Sequence, residues 1–319
     1  MNCDVEFNWH INEFCNFKCT YCYDKYSKNK NFRGDVNIDK IVNAFKGTGK
    51  KCYIYMSGGE PFFYPNFIEL CQRLTKDHII GVNTNLTHKS IYQFAEVINP
   101  DKVRSINCSL HILEREKLKL VDDFIEKYYF IKEKGFYTFV TYLVHPYMVH
   151  RLGKDYSYFK SQGIILRPKV FKGNGAKFKI LESAILRKIR PFFGSNYPEA
   201  YTDEQRNIIT YYLELSTKEG NFKIDHSEDL NKGRMCDVSL DKFYIKRYPS
   251  FKGKNCWAGS KFIRMTSQGD VFRCYDDNQY HGNLFNGKIK LFEVPQKCTA
   301  ERCGCPYMGF IYSEKGLPT

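Results

Sequence analysis

Six short apolar runs alternate with helically spaced stripes through the first half of the chain, and this alternation limits the fold more than any other feature. The runs lie at 5–11 (VEFNWHI), 52–56 (CYIYM), 79–84 (IIGVNT), 103–111 (VRSINCSLH), 136–144 (FYTFVTYLV) and 163–171 (GIILRPKVF). They carry the β-branched and aromatic residues that suit a pleated surface. Between the first two, Ile38, Ile41, Val42 and Phe45 keep the spacing of one helix face and stop at Gly47. Phe67, Leu70, Cys71 and Leu74 repeat the pattern after the second run. Further helices are expected around 88–97, over a long stretch ending near Lys134, near 149–161, and over about 203–217.

Strands joined by helix-length connections pair in parallel. Right-handed crossovers would curl such a sheet into an α/β fold, a partial (β/α)6 barrel like part of a TIM barrel, with its chemistry at the C-terminal ends of the strands. From about residue 218 helical periodicity fades. There Phe262–Cys274 reads as a β-hairpin with Gly269 in the turn. A barrel domain over 1–217 and a small cysteine-rich α+β domain over 218–319 are therefore expected.

No apolar run is long enough to span a membrane, and the N-terminus lacks the basic start and apolar core of a signal peptide. A cytoplasmic location is expected, and there the thirteen cysteines need a role other than disulfides. Cys52, Cys71 and Cys108 sit singly in apolar segments and read as small core residues. Lys plus Arg exceeds Asp plus Glu by 49 − 35 = 14. That balance suits an anionic small molecule or an acidic peptide, or simply a solvated lysine-rich surface. The basic segments are too mixed to form a nucleic-acid arm.

Cys15, Cys19 and Cys22 follow C-x3-C-x2-C directly after the first strand, with Tyr21 before the last cysteine. A structural zinc site would want a fourth ligand nearby, and the loop offers none. A [4Fe–4S] cube on three thiolates leaves one iron open to another ligand. After the second strand, Gly58 and Gly59 permit close backbone approach, Glu60 supplies a carboxylate suited to an ammonium group, and Pro61 fixes the turn.

Together these motifs resemble the radical S-adenosylmethionine (SAM) superfamily. Its C-x3-C-x-aromatic-C loop is matched by Cys15, Cys19, Tyr21 and Cys22, and its GGEP loop by Gly58, Gly59, Glu60 and Pro61. The resemblance covers roughly residues 5–171. It implies a cluster whose open iron chelates SAM, with Glu60 and the glycines holding the methionine amine and backbone near Tyr21 meeting the adenine. It further implies reductive cleavage of SAM to a 5′-deoxyadenosyl radical that takes hydrogen from a substrate. A low-potential donor such as flavodoxin or ferredoxin would supply the electron. Ser109, and more weakly Thr84, Asn85, His111, Arg167 and Lys169, fall near strand ends where such enzymes touch SAM or substrate.

Cys256, Gly269 and Cys274 read C-x12-G-x4-C, and Cys298, Cys303 and Cys305 follow. A four-cysteine zinc ribbon would look similar. The pattern also resembles the SPASM or twitch extension of radical SAM enzymes. The few later cysteines imply one auxiliary [4Fe–4S] cluster, held by Cys256 and Cys274 with two of Cys298, Cys303 and Cys305. Enzymes with this extension mature ribosomal peptides or oxidise small sugars. The chain opens directly on its first strand, which leaves out a fused leader-peptide-binding domain and tilts the expectation toward a small molecule. The segment NWHINEFCNFKC also resembles radical SAM nucleotide dehydratases like viperin, from which the cysteine-rich tail departs. A zinc- or cluster-binding nucleic-acid module is the non-enzymatic alternative, and it leaves the GGEP loop unexplained.

Overall fold

A computed structural model describes residues 3–22, 37–174, 196–220, 241–242, 244–246 and 250–304. Strand β1 (Val5–Asn12) is followed by α1 (Ile38–Lys46), β2 (Cys52–Gly58), α2 (Phe67–Asp77), β3 (Ile79–Thr84) and α3 (Ser90–Val97). The alternation continues through β4 (Val103–Ser109), α4 (Ile112–Leu118), α5 (Val121–Glu133), β5 (Thr138–Val144), α6 (Leu152–Ser161) and β6 (Leu166–Val170). Strands β1 to β6 pair in parallel in sequence order, as the connection lengths require.

Alternation along β1 separates two faces. Phe7 and Trp9 point toward the helices, where their rings meet Phe45 of α1 at 5.2 and 5.8 Å. All three are fully buried. Truncating a buried Phe to Ala typically destabilises by about 3–5 kcal/mol, so this contact is a main anchor of α1. Glu6, Asn8, His10 and Asn12 take the opposite, concave face. Along β1 the concave face is accordingly polar.

Two expectations change. The single long helix before Lys134 is two helices, because Lys119 adopts the left-handed conformation (φ +57°) and closes α4. The Arg115 side chain fills the corner, donating from Nε to Leu110 O (2.6 Å) and from Nη1 to Leu120 O (3.4 Å). The fourth strand stops at Ser109, since His111 is also left-handed (φ +45°) and starts α4.

Beyond β6 come the short β7 (Gly173–Asn174) and β8 (Asn196–Tyr197), then α7 (Asp203–Glu219), whose N-terminus carries a Thr202/Gln205 capping box. The C-terminal segment contributes β9 (Asn255–Cys256), β10 (Phe262–Met265), β11 (Asp270–Phe272), β12 (Tyr280–Asn283), β13 (Lys288–Ile289) and β14 (Gln296–Lys297). The expected hairpin is β10–β11, with Gly269 in the turn at φ +87°. It does not form a sheet of its own. Strand β10 lies parallel to β1, with Phe7 beside Ile263 and Trp9 beside Met265, so one ten-stranded sheet runs β13-β12-β11-β10-β1-β2-β3-β4-β5-β6. The result is a partial, unclosed barrel whose edge strand β1 is covered by the C-terminal segment.

Candidate functional site

The cysteine loop leaves β1 at its C-terminal end, beside the end of β2. Gly59 N donates to Asn12 O (3.0 Å) and Glu60 N to Phe14 O (2.7 Å), and Asn12 Nδ2 returns a bond to Glu60 O (2.9 Å). A Cβ at Gly59 would collide with the Phe14 backbone, and Gly58 has φ +128°. Both glycines are thus required by the stitching of one loop to the other. Cys15 and Cys19 are half-buried, Cys22 is exposed, and Cys22 N closes a turn on Cys19 O (3.1 Å). Burial pushes the Cys15 thiol up to about 12, with Glu60 adding to the rise. It pushes Cys19 higher still, aided by Glu114. Bare thiolates are disfavoured here and repel one another. Iron ions would supply the missing positive charge, so this donor set fits a cluster.

Glu60 is held within the protein. Its side chain is fully buried, accepting from Thr84 Oγ1 (2.6 Å), Asn85 N (2.6 Å) and Phe62 N (3.2 Å), the last capping the 3₁₀ turn at Pro61–Phe63. Burial raises its carboxyl to about 7 against the pull of those donors and of Arg115. The carboxylate therefore locks the GGEP loop to the β3 end. The N–H groups of Gly59 and Glu60 are likewise spent on the cysteine loop. Carbonyl oxygens are what the loop can offer an ammonium group, which needs acceptors.

Asn85 joins the two motifs. Its Nδ2 reaches Cys15 Sγ (3.7 Å) and Asn16 Oδ1 (2.9 Å), while its carbonyl accepts from the fully buried Arg115. Tyr21 is buried between two histidines at the ends of β4 and β5, stacking on His111 at 5.8 Å and His145 at 6.0 Å. Its hydroxyl shares a hydrogen bond with His111 Nδ1 (3.1 Å). Burial lowers His111 to about 4, with Arg115 contributing, and lowers His145 to about 3, so both rings are neutral. Ser109 faces the concave side and donates to Asn83 Oδ1 (2.8 Å).

In the C-terminal segment Cys256 lies opposite Gln296 in the β9–β14 pair, which brings it near Cys298, and its thiol also senses Cys274. Burial raises both the Cys256 and the Cys274 thiols. Backbone N–H groups point at both sulfurs, from Ala258 to Cys256 (3.4 Å) and from Asp277 to Cys274 (3.2 Å). Such bonds favour ligating thiolates, and the set fits a second metal centre. Cys303 is buried, and Cys305 lies outside the described residues. Among the described residues all cysteines are free, and no three His, Cys, Asp or Glu side chains form a ready cage for a single ion.

Residues 9–151 match the family model described as the radical SAM superfamily. This is a radical SAM domain. A GTP 3′,8-cyclase of Ectopseudomonas mendocina is 27% identical over 111 residues, covering 34% of this chain and 33% of that protein. An S-adenosylmethionine-dependent nucleotide dehydratase of Fibrobacter sp. is 31% identical over 97 residues, covering 26% of this chain and 28% of that protein. The matched stretch thus spans about a third of these curated relatives or less. Among solved structures, anSMEcpe with bound AdoMet and a peptide superposes with TM-score 0.55 at 17% identity, over 88% of this chain and 78% of the other. Streptococcus suis SuiB does so with TM-score 0.54 at 16% identity, over 88% and 63%. The shared fold therefore runs past the radical SAM domain into the C-terminal segment.

The structure brings Cys15, Cys19, Tyr21, Cys22, Gly58, Gly59, Glu60 and Pro61 to one end of the domain's sheet, and Ser109 to the same rim. Thr84 and Asn85 prove to be direct partners of Glu60. Arg167 lies over the Phe139 ring (4.7 Å), and Lys169 sits 4.0 Å from Asp241. Arg115, Glu114 and His145 carried no signal of their own in the sequence. Glu114 Oε2 accepts from Lys18 N (3.2 Å) inside the cysteine loop, a contact that spans 96 residues.

Proposed function

We propose that the chain is a radical SAM enzyme, with a radical SAM unit over 1–217 and an auxiliary metal unit over 218–319. Cys15, Cys19 and Cys22 would hold a [4Fe–4S] cluster by three thiolates, leaving one iron for the amine and carboxylate of SAM. When bound, the reduced cluster would supply the one low-potential electron that cleaves the sulfonium, and SAM would supply the radical that takes hydrogen from substrate. The observation that carries this reading is the stitching of the three-cysteine loop to Gly59 and Glu60 at the C-terminal end of a parallel sheet. Carbonyl oxygens of the GGEP loop would orient the amine, with Glu60 setting the loop's shape. Tyr21, clamped between neutral histidines, keeps the loop in register and water out from below. Cys256 and Cys274, with Cys298 and Cys303 or Cys305, would hold the auxiliary [4Fe–4S] cluster.

The concave face supports a small anionic substrate. Asn8, Asn83, Ser109 and Thr141 line it with amides and hydroxyls, and Tyr275, next to Cys274, donates to Asn8 Oδ1 (2.5 Å). Arg264 of β10 lies over Phe272 (4.6 Å) and Tyr275 (5.9 Å), and its buried Nε has no hydrogen-bond partner among the described residues. A guanidinium with a spare donor on a concave face is matched to a phosphate or carboxylate. The two relatives named for GTP and nucleotide chemistry favour a nucleotide within that class. A peptide, present in the anSMEcpe structure, is the second reading.

No helix among the described residues is long and apolar enough to cross a membrane. A reducing cytoplasm, with flavodoxin or ferredoxin as donor, suits the free thiols. The test is anaerobic incubation of the reconstituted, reduced protein with SAM and a panel of nucleotides, sugar acids and peptides. Formation of 5′-deoxyadenosine, accelerated by one of them, supports the function. Absence of 5′-deoxyadenosine under every condition rules it out.

A further inference from the structure

Arg273 stands one residue before Cys274 and is 3% exposed. A guanidinium taken this far from water must spend its donors on the protein. Arg273 spends them on three separate stretches of chain. Nε donates to Ala258 O (3.3 Å), Nη2 to the carbonyls of Gln296 and Lys297 (3.0 Å each), and Nη1 to the Asp277 carboxylate (2.9 Å). Asp277 extends the reach. Its carboxylate also accepts from Thr299 Oγ1 (2.6 Å) and Gln279 N (3.0 Å), while its own N–H points at Cys274 Sγ (3.2 Å).

Every segment touched carries a cysteine. Ala258 is two residues from Cys256, Asp277 closes the Cys274 loop, and Lys297 and Thr299 flank Cys298. The regular structure here is slight, since β9 and β14 are two residues each. Strands that short do not hold a register unaided. A forked, planar cation can bind several carbonyls at fixed angles at once, which a lysine ammonium cannot.

We propose that Arg273 and Asp277 are positioning residues of the C-terminal cysteine site, a buried clasp that fixes the three cysteine-bearing segments before metal arrives. Its guanidinium, paired with the Asp277 carboxylate, also leaves a fixed positive charge near Cys256 and a negative one near Cys274. The proposal rests on the reading that these cysteines hold an iron–sulfur cluster.

The experiment uses the full chain with Cys15, Cys19 and Cys22 replaced by Ala, so that only the C-terminal site reports. Iron, sulfide and zinc per chain, the EPR signal of the reduced state and its midpoint potential are measured after anaerobic reconstitution. Arg273→Gln should lose at least half of the bound iron, and the clusters that remain should have a more negative potential because a nearby cation has gone. Asp277→Asn, nearly isosteric, should shift the potential in the positive direction. Arg273→Lys should keep the potential near the parent value while still losing iron. Opposite shifts are the signature of charge held beside the cluster, which loosened packing alone would not produce.

Unchanged iron and potential in Arg273→Gln, or shifts of the same sign in Arg273→Gln and Asp277→Asn, overturn the clasp. Adding Cys256→Ala and Cys274→Ala to the parent separates the two layers. If that chain keeps its iron, the cluster reading fails. If it loses zinc instead, that reading also fails, and loss of zinc in Arg273→Gln then decides the clasp by itself.

Discussion

The two cysteine groups solve one problem by different means. The N-terminal loop is a single stretch of eight residues, so the chain itself keeps its three thiols together. Tertiary contacts only aim it, through backbone bonds from Gly59 and Glu60 and through the Tyr21 plug. The C-terminal group draws on stretches more than forty residues apart, from Cys256 to Cys298 or beyond. It depends on a buried ion pair to assemble. Burial raises the thiols of both groups; Glu60 and Glu114 add to the rise in the first, Asp276 and Asp277 add to it at Cys274, and Arg273 opposes it at Cys256. A locally encoded site keeps its thiols together through the chain alone; a dispersed one needs tertiary contacts to gather them before the metal comes.

The largest effect should come from the local group. Replacing any one of Cys15, Cys19 or Cys22 by Ala should abolish 5′-deoxyadenosine formation, as read by chromatography of anaerobic reactions. Turnover surviving in all three variants would erase the distinction drawn above. Next in size, the Cys256→Ala/Cys274→Ala protein should lose about four iron per chain, one cube, by elemental analysis. Its cleavage of SAM without substrate should persist, because the first site does not draw on those residues.

Glu60 tests how far the first group relies on tertiary aim. Glu60→Ala strands buried donors from Thr84, Asn85 and Phe62, and an unsatisfied buried group costs about 1–3 kcal/mol. A loss of about 3 kcal/mol in urea unfolding of the metal-free chain is expected, together with weaker SAM binding after reconstitution. The pH dependence follows from burial, which holds the folded carboxyl protonated to about 7 against 4.5 when unfolded. The folded chain then binds more protons than the unfolded one between these values, so stability falls as pH rises across that window. The Arg115 guanidinium faces the same carboxyl, favours its charged form and so limits this slope. Glu60→Gln should flatten it, and an identical slope in the variant would remove Glu60 from the account.

The smallest effect is expected at Asn85, whose amide reaches Cys15 Sγ. Asn85→Ala should leave iron content unchanged and shift the first cluster's potential in the negative direction, since hydrogen bonds to sulfur raise potentials. Loss of iron instead would show that the N-terminal group is less self-sufficient than its spacing suggests.

Much of the fold was legible in sequence. Strands β1, β2 and β3 and helices α1 and α2 stand within about two residues of where periodicity puts them, because alternation and helical spacing reflect burial on one face. The break at Lys119 was not legible: nothing local marks a lysine for the left-handed region, and Arg115 fills the corner from within. The surroundings of Glu60 were not legible for a related reason. A carboxylate after two glycines looks aimed at a ligand until Thr84 and Asn85, 24 and 25 residues away, are seen to occupy it.

What the sequence by itself determined is whatever a short stretch of chain encodes. The three-thiol loop, the glycines demanded by close approach and positive φ, the βα alternation and the Gly269 turn are of this kind. What only the tertiary structure decided are pairings across long separations: β10 against β1, with Trp9 Nε1 donating to Thr266 O across 257 residues, Arg115 on Asn85, and Arg273 at the centre of the second cysteine group. Contacts of that kind close long loops against chain entropy and form only when the burial of many side chains offsets it. No local pattern records that collective balance.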